Sequence, residues 1–139
     1  MIVALDASAA VGIALGRSDA VEIRDLVATA DRVVTSALFH AETANALWKY
    51  VRAGQLTTER AQQLLQVCTD LPDVTVPVEE TVVEALHEAA SNDHPVYDTL
   101  YLTVARRNGA TLLTLDRRLR QLAARLGVAP DEDHGYATE

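Results

Sequence analysis

The chain has few of the residues that hold small extracellular domains or zinc modules together. It contains a single cysteine, Cys68, in 139 residues. One thiol can form neither an internal disulfide nor a cysteine-rich zinc site, so the sequence excludes both. Because Cys68 lies in a stretch with a helical pattern, we interpret it as a buried and unreactive side chain.

Aromatic residues are also scarce, at 4% of the chain, whereas hydrophobic residues as a whole make up 49% and charged residues 23%. These proportions are typical of an ordinary globular protein, here with an interior of alanine, leucine and valine. A length of 139 residues is sufficient for one domain with its own core. We predict a single domain over residues 1–129 and a polar C-terminal tail over residues 130–139.

Long hydrophobic runs are missing as well. No segment approaches the roughly 20 consecutive apolar residues that span a bilayer. Residues 1–16 are apolar, but no basic residue precedes them and Asp6 interrupts them, which argues against a secretory signal peptide. We therefore expect a cytoplasmic protein with no membrane partner.

Positive charge is in the minority, because 20 acidic residues outnumber 12 Lys and Arg and the formal net charge is −8. A negative net charge argues against a nucleic-acid partner, whose phosphates bind basic surfaces. The distribution of the basic residues along the chain weakens this argument, because half of them fall in one segment. They are Arg106, Arg107, Arg117, Arg118, Arg120 and Arg125. Composition alone favours the interpretation that these arginines lie on helix faces exposed to solvent.

Four short runs have the composition of β-strands, at residues 2–5, 32–35, 74–76 and 111–115. Three are nearly continuous apolar or β-branched runs, as in parallel strands buried on both faces. The run at 74–76 is weaker and precedes a proline, which favours an edge position.

Helical patterns fill the intervals between these runs, so the predicted element order is βααβααβααβα. This alternation predicts an α/β fold, a doubly wound sandwich whose central parallel sheet of four to five strands is flanked by helices. We expect Ser36 to cap the helix after the second strand, Gly54 to end that helix and Gly127 to end the last one.

Two acidic residues follow predicted strands. Asp6 comes directly after residues 2–5, and Asp116 directly after residues 111–115. Because ligand sites in open parallel sheets form outside the carboxyl ends of the strands, both carboxylates are predicted at one edge of the sheet. Each could instead be a helix N-cap with no further role.

Two further acids lie in predicted helices. Glu42 shares a helix face with Leu38, Asn45 and Lys49, which by itself also fits a solvated face. Asp98 lies near the start of the helix in the segment HPVYDTLYLTVA. The helix dipole favours an acid there, but it does not explain an acid among so many apolar neighbours.

Two hydroxyl residues accompany the acids that follow the strands. Ser8 comes two residues after Asp6, and Thr114 two residues before Asp116, so both residues of the second pair would point to one side of a strand. Carboxylates gathered at one edge repel one another unless a cation neutralises them. Carboxylate oxygens favour Mg²⁺ or Mn²⁺, so the residues predict a metal site of that kind.

Three motifs in order resemble those of PIN-domain ribonucleases, specifically the VapC-like toxins of bacterial toxin–antitoxin pairs. They are VALDASA near the start, SALFHAETANALWKY about thirty residues later, and VYDTLYLTVARRNGATLLTLD near the end. The resemblance covers almost the whole chain, and the last motif is its most specific part. It implies a PIN-like fold for residues 1–129.

The resemblance implies a metal-dependent endoribonuclease. Its catalytic and metal-binding residues would be Asp6, Glu42, Asp98 and Asp116, which together would hold one or two Mg²⁺ or Mn²⁺ ions. Its supporting residues would be Ser8, Thr114 and Asn45. A water activated at this acidic quartet would attack the RNA phosphodiester in line. No histidine is required, so we interpret the four histidines as incidental: His40, His87, His94 and His134.

The resemblance also implies partners. These are an RNA substrate, a small cognate antitoxin and a second copy of the chain in a homodimer. Arg117 and Arg118 are our candidates for contacts with RNA phosphates. The amphipathic segment 56–71 could form the antitoxin groove or the dimer contact, or it could pack within the domain.

Two other functions remain open from the sequence. A phosphoryl-transfer domain of the receiver type would need an acidic pair, a phospho-accepting Asp after a middle strand and a late lysine. Asp6 instead stands alone, no Asp closes the second predicted strand, and the single lysine is Lys49. The other alternative is a catalytically silent PIN-like scaffold that binds RNA or protein.

Overall fold

The structure is a computed structural model that describes residues 1–131. Its strands are β1 (Ile2–Leu5), β2 (Arg32–Ser36), β3 (Val74–Val76) and β4 (Thr111–Leu113). Its helices are α1 (Ala7–Ala14), α2 (Val21–Thr29), α3 (Leu38–Arg52), α4 (Thr58–Asp70), α5 (Val82–Asn92), α6 (Val96–Arg107) and α7 (Arg117–Arg125). Single 3-10 turns lie at Ser18–Ala20 and Val78–Glu80.

The four strands form one parallel sheet in the order β3-β2-β1-β4. Val3 of β1 lies between Val33 of β2 and Thr111 of β4. The chain moves outward from β1 to β2 and β3, and then returns to place β4 on the other side of β1. The strand order therefore reverses between β1 and β4, which is where open α/β sheets bind their ligands.

The predicted α/β architecture is confirmed, including the order of all the elements and the edge position of β3. A receiver-type domain has a different strand order, in which the third strand lies beside the first. The helix ends expected at Gly54 and Gly127 are also found, because both residues have a φ of 76° immediately after α3 and α7. A positive φ favours glycine, which has no Cβ.

Two predicted boundaries are wrong. Ser36 is the last residue of β2 and not the cap of α3; Ala37 takes the cap position without a side-chain hydrogen bond. The last strand ends at Leu113 rather than at residue 115. It ends there because the next free amides bind hydroxyls: Leu115 N donates to Ser8 Oγ and Asp116 N to Thr114 Oγ1.

Helix α6 is buried on most of its surface, since every residue from 99 to 105 is buried. It packs against α5 on one side and against β1, β2 and β4 on the other. Its buried hydroxyls are satisfied locally, as Thr99 Oγ1 donates to Ala85 O at 2.7 Å and Thr103 Oγ1 to Thr99 O at 2.8 Å. The apolar character of the HPVYDTLYLTVA segment thus reflects a helix enclosed from two sides.

Cys68 is a free thiol with no solvent exposure. Burial raises the pKa of this thiol to about 11, so it stays protonated and unreactive at neutral pH, as predicted. No helix within residues 1–131 is long and apolar enough to cross a membrane. Most of the predicted C-terminal tail, residues 132–139 with His134, lies outside the described residues, so the domain boundary at 129 stays a prediction.

The enclosure of α6 predicts a large cost for removing its core side chains. Leu102 has no solvent exposure, whereas Leu86 on the neighbouring helix α5 is 60% exposed. Leu102→Ala should lower the free energy of unfolding by about 2–5 kcal/mol, because it leaves a cavity in a packed core. Leu86→Ala removes the same atoms from a wet surface and should cost less than about 1 kcal/mol. Urea unfolding of both variants measures the difference; equal losses would contradict this packing.

Candidate functional site

A cleft of about 530 Å³ lies at the carboxyl edge of the sheet, beside the point where the strand order reverses. All four predicted catalytic carboxylates line it: Asp6, Glu42, Asp98 and Asp116. They come from the end of β1, the first half of α3, the first turn of α6 and the start of α7. We refer to this feature as the acidic cleft.

Asp6 is the most constrained of the four acids. It caps α1, where Oδ1 accepts hydrogen bonds from Ala9 N at 2.9 Å and from Ser8 Oγ at 2.8 Å. Its other oxygen, Oδ2, accepts a hydrogen bond from Thr114 Oγ1. Burial raises the pKa of Asp6 to about 6; these three donors oppose the shift, and the nearby charge of Glu42 adds to it.

The two predicted supporting hydroxyls join the ends of β1 and β4. Ser8 Oγ lies 3.2 Å from Thr114 Oγ1, and both contact the carboxylate of Asp6. The same oxygens accept the amides of Leu115 and Asp116, at 2.9 and 3.0 Å. Ser8 and Thr114 therefore fix the backbone at the bottom of the acidic cleft. They do so through hydrogen bonds within the site, and not because Thr114 and Asp116 point to the same side of a strand.

Asp116 caps α7, and its Oδ1 accepts a hydrogen bond from Leu119 N at 2.8 Å. Asp116 therefore both caps a helix and lines the cleft, as Asp6 does. Capping fixes each side chain at the start of a helix, where the N-terminal amides also favour a negative charge.

Glu42 is held by a residue that the sequence did not single out. The hydroxyl of Tyr101 on α6 donates to Glu42 Oε1 at 2.6 Å. Burial and the charge of Asp98 raise the pKa of Glu42, against the effect of this hydrogen bond. Burial and the neighbouring acids also raise the pKa of Tyr101, which keeps its hydroxyl protonated as a donor. The available signal was its spacing, one turn after Asp98 on the same helix face.

Asp98 meets a histidine that we expected to be incidental. His94 Nδ1 lies 3.4 Å from Asp98 Oδ2, and the His94 side chain is only 4% exposed. Burial and the charge of Asp116 raise the pKa of Asp98, while His94 and Arg118 oppose that rise. The four-residue spacing across a helix start was the sequence signal for this contact.

The helix face predicted on α3 lines the acidic cleft. Asn45 and Lys49 lie on it with Glu42, and Tyr97 lines the cleft from α6 with 62% of its surface exposed. Lys49 is the cationic side chain among the cleft-lining residues that the structure describes.

The arginines of residues 106–125 have different environments. Arg106 and Arg107 form ion pairs with Glu88 and Glu84. Arg118 donates to the carbonyl of Asp93 at 3.3 Å. Arg117 and Arg118 are exposed, and within residues 1–131 neither lines the cleft.

The side-chain positions do not by themselves form a complete metal cage. Within the described part of the chain, no three His, Cys, Asp or Glu residues are arranged closely enough to hold an ion. Burial is the largest cause of the raised pKa values of Asp6, Glu42 and Asp98, and repulsion from Glu42, Asp98 and Asp116, respectively, adds to it. A divalent ion would relieve this repulsion.

Known proteins share this architecture. Ribonuclease VapC3 from Pyrobaculum aerophilum is 29% identical over 123 residues, which are 87% of this chain and 94% of that protein. The crystal structure of PAE2754 from the same organism matches with a TM-score of 0.68 and 25% identity, over 91% of this chain and 90% of the other.

A further solved structure is Mycobacterium tuberculosis VapC20, described as a sarcin-ricin loop cleaving toxin. It matches with a TM-score of 0.59 and 20% identity, over 100% of this chain and 98% of that one. The family model described as PIN domain matches residues 3–125. That match includes most of β1, all of β4 and all four cleft acids, and it establishes that this chain belongs to the PIN-domain family.

Proposed function

We propose that this protein is a Mg²⁺- or Mn²⁺-dependent endoribonuclease, the toxin of a toxin–antitoxin pair. The observation that carries the proposal is the convergence of four acids from four distant segments on one cleft. Membership of the PIN-domain family and similarity to proteins named as a VapC ribonuclease and a VapC toxin support it. Because its substrate would be cellular RNA, we expect it in the cytoplasm.

Asp6, Glu42, Asp98 and Asp116 are the residues that would hold one or two ions. Mg²⁺ keeps several waters and often binds through only one or two carboxylates, so a complete three-residue cage is not required. Divalent ions bound here would neutralise the negative charge of the phosphodiester and of the leaving oxygen. Burial is the main cause of the raised pKa values of Asp6, Glu42 and Asp98, repulsion from a neighbouring acid adds to it, and a bound cation would lower all three.

The acids divide into two roles in this proposal. Asp6 is fixed on both oxygens by Ala9, Ser8 and Thr114, so it sets the position of the site. Glu42 and Asp98 are only partly buried, so a water in the cleft would reach either carboxylate. Either one would then accept the proton of the water that attacks the phosphorus.

Substrate RNA would extend from the acids along α3. Lys49 lies seven residues after Glu42 on the same helix face, which is about 10 Å along the axis at 1.5 Å per residue. That distance places an ammonium group beside a neighbouring phosphate instead of the one being cut. Tyr97 faces the same cleft, and its exposed ring can stack on a base. Arg117 and Arg118 remain candidates for phosphates beyond the cleft.

The antitoxin would use a second groove, between α3 and α4. Its lining is mostly apolar and includes Trp48, Val51, Ala61 and Leu65. The α4 segment also contributes to the core through Leu64 and Cys68, and we propose the antitoxin groove as its second role. A homodimer remains part of the proposal, with the exposed Val67 of α4 as a candidate contact.

Asp98→Asn should abolish metal-dependent cleavage while leaving the fold intact, because it removes one charge from the cleft and keeps the side-chain shape. The assay gives antitoxin-free full-length protein single-stranded and structured RNA with Mn²⁺, and then with EDTA. The matched control is Asp93→Asn, the same change in an exposed residue outside the cleft, which should cleave normally. Normal cleavage by Asp98→Asn would contradict the proposal. Binding without cleavage by the wild type under several metals would favour the silent scaffold.

Asp6→Asn should stabilise the metal-free protein more at pH 7.5 than at pH 4.5. The pKa of Asp6 is about 6 in the fold, against an ordinary value of 3.8 for an exposed aspartate. A raised pKa favours folding at low pH, and that contribution is lost as the pH rises through 6. The stabilisation should differ by about 2 kcal/mol between the two pH values. Urea unfolding in EDTA measures it, and an equal effect at both would refute the burial argument.

Lys49→Gln should weaken RNA binding and lower its salt dependence. Losing one phosphate contact to a single strand reduces the slope of log K against log salt by about 0.7. Fluorescence anisotropy with a labelled oligonucleotide in EDTA measures the slope. Arg125→Gln, an exposed residue at the end of α7, is the control and should leave it unchanged.

Reversing the charges of Arg117 and Arg118 in the same assay tests the second set of candidates. If both residues bind phosphates, the slope should fall by about 1.4, since each contact contributes about 0.7. An unchanged affinity and slope would remove these two arginines from the RNA-binding surface.

A further inference from the structure

One buried imidazole nitrogen beside the acidic cleft has no hydrogen bond. His94 Nδ1 is unpartnered among the described residues, although the side chain is only 4% exposed. Buried polar atoms nearly always have a partner, so each exception calls for an explanation. The acid nearby is Asp98, whose Oδ2 lies 3.4 Å from this nitrogen.

The backbone holds His94 firmly at this place. Asp93 ends α5 in the left-handed conformation, with a φ of 53°. The amide of His94 donates to Ala89 O at 3.2 Å, and Arg118 donates to Asp93 O at 3.3 Å. Pro95, the residue before α6, then restricts the chain on the other side. The imidazole therefore sits on a loop fixed from α5, α7 and α6.

We propose that His94 is a positioning residue for Asp98. Its Nδ1–H donates to the Asp98 carboxylate and holds the other carboxylate oxygen toward the acidic cleft. The 3.4 Å separation exceeds an ordinary N–H···O distance by only about 0.5 Å, so a small rotation of the carboxylate forms the bond. The contact itself is independent of the proposed function; its effect on metal affinity rests on that function.

The bond would fix the orientation of the Asp98 carboxylate, as the Tyr101 hydroxyl does for the carboxylate of Glu42. Residues that hydrogen-bond to a metal-binding carboxylate fix its orientation, and their loss typically lowers metal affinity 10- to 100-fold. Asp116 and Arg118 are the other charged groups that act on Asp98. Neither supplies a hydrogen bond to Asp98 among the described contacts, which leaves His94 as the donor in reach.

The contact can be tested in metal-free protein. Long-range ¹H–¹⁵N correlation spectra of the histidine rings, recorded in EDTA, identify which ring nitrogen carries the proton. We expect a proton on Nδ1 of His94, and we expect the Asp98→Ala variant to change its resonance. A proton on Nε2 alone, or a spectrum unchanged by Asp98→Ala, would overturn the proposal.

The positioning effect can be tested with three variants and Mn²⁺ binding followed by electron paramagnetic resonance. His94→Leu fills the space without a donor and should bind Mn²⁺ about 10- to 100-fold more weakly. His94→Asn places an amide N–H close to the position of Nδ1 and should return the affinity to within about threefold of the wild type. The control His87→Leu, at an exposed position of α5, should bind as the wild type does.

These outcomes separate the inference from the proposed function. Equal Mn²⁺ affinity in the wild type and His94→Leu would overturn the positioning role while leaving a metal-dependent nuclease in place. Equal losses in His94→Leu and His94→Asn would show that the imidazole acts only through packing, and would also overturn it. A wild type that binds no Mn²⁺ would refute the proposed function, and the spectra would still decide whether His94 donates to Asp98.

Discussion

The hydrogen bonds on Asp6 connect the fold of this protein to its site. Ser8 and Thr114 both donate to this carboxylate, and they also accept the backbone amides that would otherwise extend the pairing of β1 with β4. The sheet therefore stops at Leu113 and opens a cleft at the point where the strand order reverses. These contacts hold the end of β4 against the start of α1, and Asp116, which follows them, lines the same cleft as Asp6.

The same network creates an electrostatic problem. It buries Asp6 in a cleft lined by three other acids. Burial first, and then the charge of a neighbouring acid, raises the pKa values of Asp6, Glu42 and Asp98. Three of the four acids accept a hydrogen bond from a neutral donor: hydroxyls for Asp6, Tyr101 for Glu42 and an amide of α7 for Asp116. These donors stabilise the ionised carboxylates, but they add no positive charge.

Most of the fold, and the position of Asp6 and Asp116 at the carboxyl edge of the sheet, could be predicted from sequence patterns, whereas Glu42 and Asp98 were assigned through the resemblance to PIN-domain ribonucleases. Strand and helix patterns have strong local signals, and parallel strands bring their carboxyl ends together by topology alone. The end of β4 could not be predicted, because it depends on Ser8, which is over 100 residues away from Thr114. The contacts of Tyr101 and His94 were missed for a related reason. Each is a bond between side chains whose direction only packing determines.

Helix α6 explains why structural and functional signals overlap in this sequence. Its middle is fully enclosed by α5 and the sheet, so its position tolerates little movement. Asp98 in its first turn and Tyr101 one turn later project from this rigid element into the cleft, and His94 precedes it on an anchored loop. A functional side chain is positioned more precisely when it lies on a rigid helix. Apolar surroundings are unusual for an acid. For Asp98 they are the packing that fixes its position relative to the acids from three other segments.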